Sequence, residues 1–182
     1  MSEGESPLTM IPGMSQAGTG ALSAHADDAI YEFLAFRLGE ETYALPLAGV
    51  QEILKPPPVT VVPRAPSDVL GIISVRGRVT TVIDLRRRLK LAEAPTDSQT
   101  RILLVAAGDE VVGLVVDAVS QVYRLYEDEV EIASTVSSDM ADYLLGIGRP
   151  RAVRTLGRSS SQNRGEDADI LILLNAEPLL NR

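Results

Sequence analysis

Catalysis needs a nucleophile, a base or a bound metal at a defined spacing, and this chain of 182 residues offers few such groups. Its one histidine is His25, and it has no cysteine. His25 stands among Ser, Ala and Asp with no apolar run nearby to fix its tautomer or exclude water, which sets aside a histidine-based triad and a zinc site. The lack of cysteine removes disulfides, thiolate nucleophiles and thiolate-bound metals, and fits a reducing compartment. There is no Gly-x-Ser-x-Gly elbow and no Gly-Lys-Ser/Thr phosphate loop. Gly146-Ile147-Gly148 continues into Arg149-Pro150 and lacks the third glycine of a dinucleotide fingerprint. The expectation is a protein with no catalytic residue, no cofactor and no metal.

The charged residues read as structural or as docking groups. Asp84 and Asp117 each follow an apolar run, where a carboxylate caps a turn by accepting backbone N–H groups. Glu127, Asp128, Glu129 and Glu131 lack the alternating spacing of a calcium loop and read as a solvated face. Arg76, Arg78, Arg86, Arg87, Arg88 and Lys90 form the densest basic run, with Arg86 to Arg88 read as a solvated helical turn. Arg76 differs. Between Val75 and Gly77, at the junction of two apolar runs, it would be desolvated unless paired, either with Glu52 or Asp84 or with an external group.

The elements that must hold these residues are short and β-like. Leu34, Phe36 and Leu38 fall on one face of a strand, Tyr43, Leu45 and Leu47 on one face of the next, and Gly39-Glu40-Glu41 turns the chain between them. Further runs lie at Val59–Val62, Leu70–Val75, Val79–Ile83, Arg101–Val105, Val111–Val116, Val119–Leu125 and Ile170–Leu174. Helical patterns are confined to Leu85–Leu89, Ser138–Asp142 and Ala176–Leu180. Residues 1–29 have neither period and read as a mobile acidic tail. Seventeen basic against 25 acidic side chains give a net charge of -8, which repels a phosphate polymer, so no nucleic-acid partner is expected. No apolar stretch approaches the roughly 18 residues of a spanning helix, and no direct membrane insertion is expected.

Slid against itself, the chain repeats. With Gly39 placed on Gly108, Leu45 falls on Leu114, Leu47 on Val116, Val50 on Val119 and Ile53 on Val122, all at an offset of 69. Leu70-Gly71-Ile72 corresponds to Leu145-Gly146-Ile147, and Val82 to Leu85 to the region of Leu173-Leu174-Asn175. From Gly71 to Asp84 is 13 residues and from Gly146 to Asn175 is 29, so the second half carries an inserted polar loop at about 149–169. Each half alone would have a marginal core. The expected fold is mainly β: two like-built barrels, roughly 31–95 and 98–180, packed side by side within a domain of residues 30–180, with a groove where they meet.

Several segments resemble the CheW family, the adaptors that couple chemoreceptors to the CheA histidine kinase. They are Glu32-Phe33-Leu34-Ala35-Phe36 with Leu38-Gly39 and Tyr43; Val50-Gln51-Glu52-Ile53; Gly71 through Gly77; Val82 through Arg86; Val112 through Asp117 with Val119 and Val122; and Tyr143 through Gly148. The resemblance implies two SH3-like five-stranded barrels with a few short helices, and a cytoplasmic scaffold recruited to receptor arrays. Its partners would be the cytoplasmic tip of a methyl-accepting chemoreceptor and the regulatory domain of a CheA-type kinase. By position, Val50, Glu52, Arg76, Val119 and Val122 would face the receptor, and Ile132, Thr135 and Val136 the kinase. Ser74-Val75 departs from the family's Asn-Leu before Arg-Gly. The alternative is a separated two-barrel module related to the kinase's own C-terminal domain.

Overall fold

The structure, a computed structural model, describes residues 29–132, 141–151 and 170–180. Eleven strands and two short α-helices account for most of the described chain: β1 (Ile30–Leu38), β2 (Glu41–Pro46), β3 (Val50–Leu54), β4 (Val69–Val75), β5 (Arg78–Asp84), α1 (Leu85–Arg88), β6 (Arg101–Ala107), β7 (Glu110–Val116), β8 (Ala118–Tyr126), β9 (Val130–Ile132), β10 (Leu144–Gly148), β11 (Leu171–Leu174) and α2 (Ala176–Leu180). The expected tail and most of the expected inserted loop lie outside the described residues, as does the start of the expected helical stretch at 138–142, whose last residues form a 3₁₀ turn at Ala141–Tyr143. The strand expected at Val59–Val62 shrinks to a single bridge from Thr60 to Ile72. Pro56, Pro57, Pro58 and Pro63 around it carry no N–H to continue a ladder.

The strands form two curled sheets, the two barrels of the expected fold. One runs β3-β6-β7-β5-β4, and the other β8-β1-β2-β11-β10 with the short β9 added at its edge. The hydrogen-bonded barrels are not the contiguous halves 31–95 and 98–180. The opening hairpin β1-β2 belongs to the barrel built from β8 to β11, and its repeat counterpart β6-β7 belongs to the barrel built from β3 to β5. Each repeat thus lends its hairpin to the other, and each lent hairpin is locked by one parallel pair, Ile172 beside Tyr43 and Ile83 beside Leu114.

This exchange explains why β1 and β6 are apolar almost throughout. On β1, Phe33 and Ala35 face the interior of one barrel, whereas Leu34, Phe36 and Leu38 face a larger cluster shared with Leu103, Val105, Leu114 and Val116 of the other sheet. On β6, Ile102 and Leu104 point into the second barrel and Leu103 and Val105 into the shared cluster. The shared cluster is the seam between the barrels. Burying each such leucine or phenylalanine contributes about 1.5–3 kcal/mol, so the seam is a core rather than a contact between two finished domains.

The repeat extends to single side chains. Asp84 accepts from the N–H of Arg86 at 2.9 Å and caps α1, and Asn175 accepts from the N–H of Glu177 at 3.2 Å at the start of α2. Gly71 and Gly146 both sit where the strand register shifts. A Cβ on Gly71 would lie 2.2 Å from the carbonyl oxygen of Thr60, and one on Gly146 would lie 2.3 Å from that of Glu131. Both glycines are dictated by a backbone that crosses directly beneath them.

Candidate functional site

The residues expected to face a receptor lie on β3, β8 and the β4–β5 turn. β3 and β8 are repeat counterparts and each is an outer strand of its sheet. Both are interrupted at the same place. On β3 the register shifts between Val50, paired with Val105, and Glu52, paired with Leu104; on β8 it shifts between Val119, opposite Phe36, and Val122, opposite Leu34. An extra residue on one strand bends it and re-aims the side chains around it. Val50 and Val119 are half-buried and pack against the shared cluster at the seam. Val122 turns outward, 44% exposed, and so does Ile53 at 43%. Ile53 was not among the expected site residues, yet the offset of 69 that pairs it with Val122 was a signal sufficient to find it.

Glu52 and Arg76 meet. Arg76 Nη2 donates to Glu52 Oε1 at 3.0 Å, with the arginine side chain 80% exposed and the glutamate 30%. Arg76 thus has Glu52, one of the partners the sequence offered, but it stands in water rather than desolvated at the strand junction. Val75 pairs with Arg78 across a two-residue turn in which Arg76 has φ 49° and Gly77 φ 79°. Positive φ at both central positions matches the twist of the flanking strands and carries the arginine clear of the sheet. β3 and β4 are the two outer strands of the five-stranded sheet, so the ion pair crosses the line where that sheet curls back on itself. An exposed pair of this kind contributes about 0.2–1 kcal/mol, which makes it a positioning contact more than a source of stability.

Behind this face the basic run is not a solvated turn. The Arg86 side chain is only 13% exposed; its Nε donates to Asp117 Oδ1 at 2.8 Å, its Nη2 to Asp117 Oδ2, and its Nη1 to the carbonyl of Ala92 at 2.7 Å. Arg88, 15% exposed, has its Nε 2.8 Å from Asp68 Oδ2, an ion pair by distance whose geometry is not that of a hydrogen bond. Arg87 is the most exposed of the three at 38%, yet it donates to the carbonyl of Ser67 at 3.1 Å and pairs with Asp84 and Glu93. Asp117 also accepts from the N–H of Gly39 at 2.7 Å. Burial pushes the Asp117 carboxyl up, but the Arg86 and Gly39 hydrogen bonds and the charges of Arg86 and Arg37 outweigh it and hold it below the ordinary range. The same hydrogen bonds donated to Asp117 raise the Arg86 guanidinium against the opposing effect of burial. Tyr43 donates to Glu41 Oε2 at 2.6 Å, and burial with that contact pushes its phenol well above its usual value. No general base poised near neutrality emerges from these groups.

Near the expected kinase-facing loop, Ile132 ends β9 and is 39% exposed, while Thr135 and Val136 lie outside the described residues. The acidic cluster beside it is not a uniformly solvated face. Glu129 is buried: Oε2 accepts from the N–H of Tyr126 at 2.8 Å and Oε1 from the N–H of Arg151 at 2.7 Å. Its carboxylate supplies partners that the turn backbone would otherwise lack. Asp128 pairs with Arg151, and Glu131 with Arg149 at 3.5 Å. Among the described residues no group of three or more His, Cys, Asp or Glu is placed to hold a metal ion, and no helix is long and apolar enough to cross a membrane.

Two barrels that exchange hairpins across an apolar seam, each with a bulged edge strand, define a two-barrel β module. Residues 32–182 match the family described as the CheW-like domain, and the chain belongs to that family of chemotaxis scaffold proteins. It is 31% identical over 123 residues to the chemotaxis protein CheW of Helicobacter pylori, covering 68% of this chain and 74% of that protein. It is 34% identical over 134 residues to the chemotaxis protein CheW of Klebsiella aerogenes, covering 72% and 81%. Protein FrzA of Myxococcus xanthus is 32% identical over 132 residues, covering 70% and 82%. The crystal structure of the scaffolding protein TtCheW from Thermoanaerobacter tengcongensis superposes with a TM-score of 0.70 at 26% identity, over 84% of this chain and 93% of that one.

Proposed function

We propose that this protein is a non-enzymatic adaptor that holds a chemoreceptor's cytoplasmic tip against the regulatory domain of a CheA-type histidine kinase, on the cytoplasmic side of the membrane. Co-localisation raises the effective concentration of kinase at the receptor, so kinase output rises without any chemistry by the adaptor. The observation that carries the reading is the pair of matched bulges on β3 and β8, which leave Ile53 and Val122 exposed at equivalent positions of the two sheets, Ile53 following Glu52 of the Glu52–Arg76 pair. Apolar groups ringed by an ion pair suit a helix laid in a groove, the apolar residues giving affinity and the charges giving register. Val50 and Val119 form the floor of that groove, and the end of β9 at Ile132, with Thr135 and Val136, contacts the kinase. The coverage of stand-alone CheW and FrzA proteins favours an adaptor over a piece of the kinase.

Calorimetric titration of the full chain with the kinase regulatory domain, and separately with a receptor-tip helical hairpin, tests this. One-to-one binding to both supports the adaptor. A folded protein that binds neither removes the role for those partners.

A further inference from the structure

We propose that residues 7–14 of this chain dock in cis in a shallow apolar groove on the five-stranded barrel. The groove is lined by Val62, Pro63, Ala65, Pro66, Val69 and Ile72, between the β3–β4 connection and the β4–β5 hairpin. Val61 beside it is 75% exposed and Val62 is 37% exposed. Arg64 lines the same groove in a left-handed conformation, φ 63°, with no ion pair among the described residues. Water is favourably excluded from such a surface by any apolar chain that fits it.

Three features select the N-terminal segment as the occupant. Leu8, Met10, Ile11 and Met14 bring four large apolar side chains into eight residues, and Pro7 and Pro12 restrict the free segment, which lowers the entropy lost on docking. Glu3 and Glu5 precede the segment, and no Lys or Arg occurs before Arg37, so the segment arrives with a charge that complements Arg64. From Met14 to Ala29 the chain has 15 residues, which reach up to about 50 Å when extended, against a body of this size roughly 40 Å across. A tether of that length keeps the local concentration of the segment in the millimolar range, so even a weak contact is occupied.

The test is an amide chemical-shift comparison on the full-length protein, with a Met10→Glu/Ile11→Glu variant on the segment side and Val62→Asp on the groove side. The double variant is expected to shift the amides of Arg64, Val69, Ile72 and Thr81, Val62→Asp is expected to shift those of residues 8–11, and both differences should survive tenfold dilution. Groove amides that do not move in the double variant overturn the proposal. Differences that fade on dilution overturn it in favour of a second copy as the occupant, and changes confined to other parts of the barrels overturn it as well.

Discussion

The carboxylate of Asp117 receives two hydrogen bonds from the Arg86 guanidinium while also accepting the N–H of Gly39. Arg86 follows β5 of one barrel, Gly39 turns the hairpin lent to the other, and Asp117 sits on the chain as it passes between them. One carboxylate therefore fastens both barrels to each other. Asp117→Ala leaves the guanidinium, little exposed, without its partner and should lower stability by about 2–3 kcal/mol, read as a lower urea midpoint with an unchanged slope.

The same contact sets an acid limit. The folded Asp117 carboxyl is held below its ordinary range, so the unfolded state binds the proton first. Its contribution to stability is fully present above the unfolded carboxyl value of about 3.9 and is lost as pH falls through the lower folded value. Urea unfolding of wild type and Asp117→Asn between pH 7 and pH 2 should show the two curves converging in acid. A constant gap would mean that the carboxylate's charge plays no part.

Charge reversal at the rim separates binding from folding. Glu52→Lys places two cations together where the ion pair is exposed, so stability should change by less than about 1 kcal/mol, while affinity for the receptor tip falls by roughly tenfold or more. Arg76→Glu combined with Glu52→Lys restores the pair with its sign inverted. If affinity returns, the pair acts by positioning the face; if it does not, the partner reads the individual charges.

Ile53→Asp and Val122→Asp should each weaken receptor binding by about 1–2 kcal/mol without loss of fold, because both side chains are already near half exposed. Thermal unfolding alongside titration checks both halves of that statement. Equal losses at the two positions would show that the docked partner uses both repeats.

Gly71→Ala and Gly146→Ala should each cost about 2–4 kcal/mol, since the added methyl meets the carbonyl of Thr60 or Glu131 well inside contact distance. Gly77→Ala, where nothing lies within 4 Å of the added carbon but φ is 79°, isolates backbone strain from overlap; about 1 kcal/mol is expected.

The hairpin turns at Gly39 and Gly108, the cap at Asp84 and the repeat itself could be read from residue order, because each depends on neighbours a few positions away. The exchange of hairpins could not. A period-two pattern tells which side chains share a face but not which strand lies alongside, and β1 is buried on both faces, so nothing in it distinguishes β8 from β3 as its neighbour. Arg86 and Glu129 were misread for a related reason. Their composition looks like surface, and partners far along the chain, Asp117 at 31 positions and the Arg151 N–H at 22, are needed to complete their burial. Ile53 was legible through the repeat but outside the expected set.

The lent hairpin also imposes an order on synthesis. β1 and β2 leave the ribosome first, yet Tyr43 of β2 must wait for Ile172 of β11, 129 positions later, before its parallel neighbour exists. Until then an apolar hairpin made to be covered on both faces stands without its barrel. Long-range pairing of this kind is slow and prone to misassociation, so the vulnerable period of this fold is the time between the synthesis of β2 and that of β11.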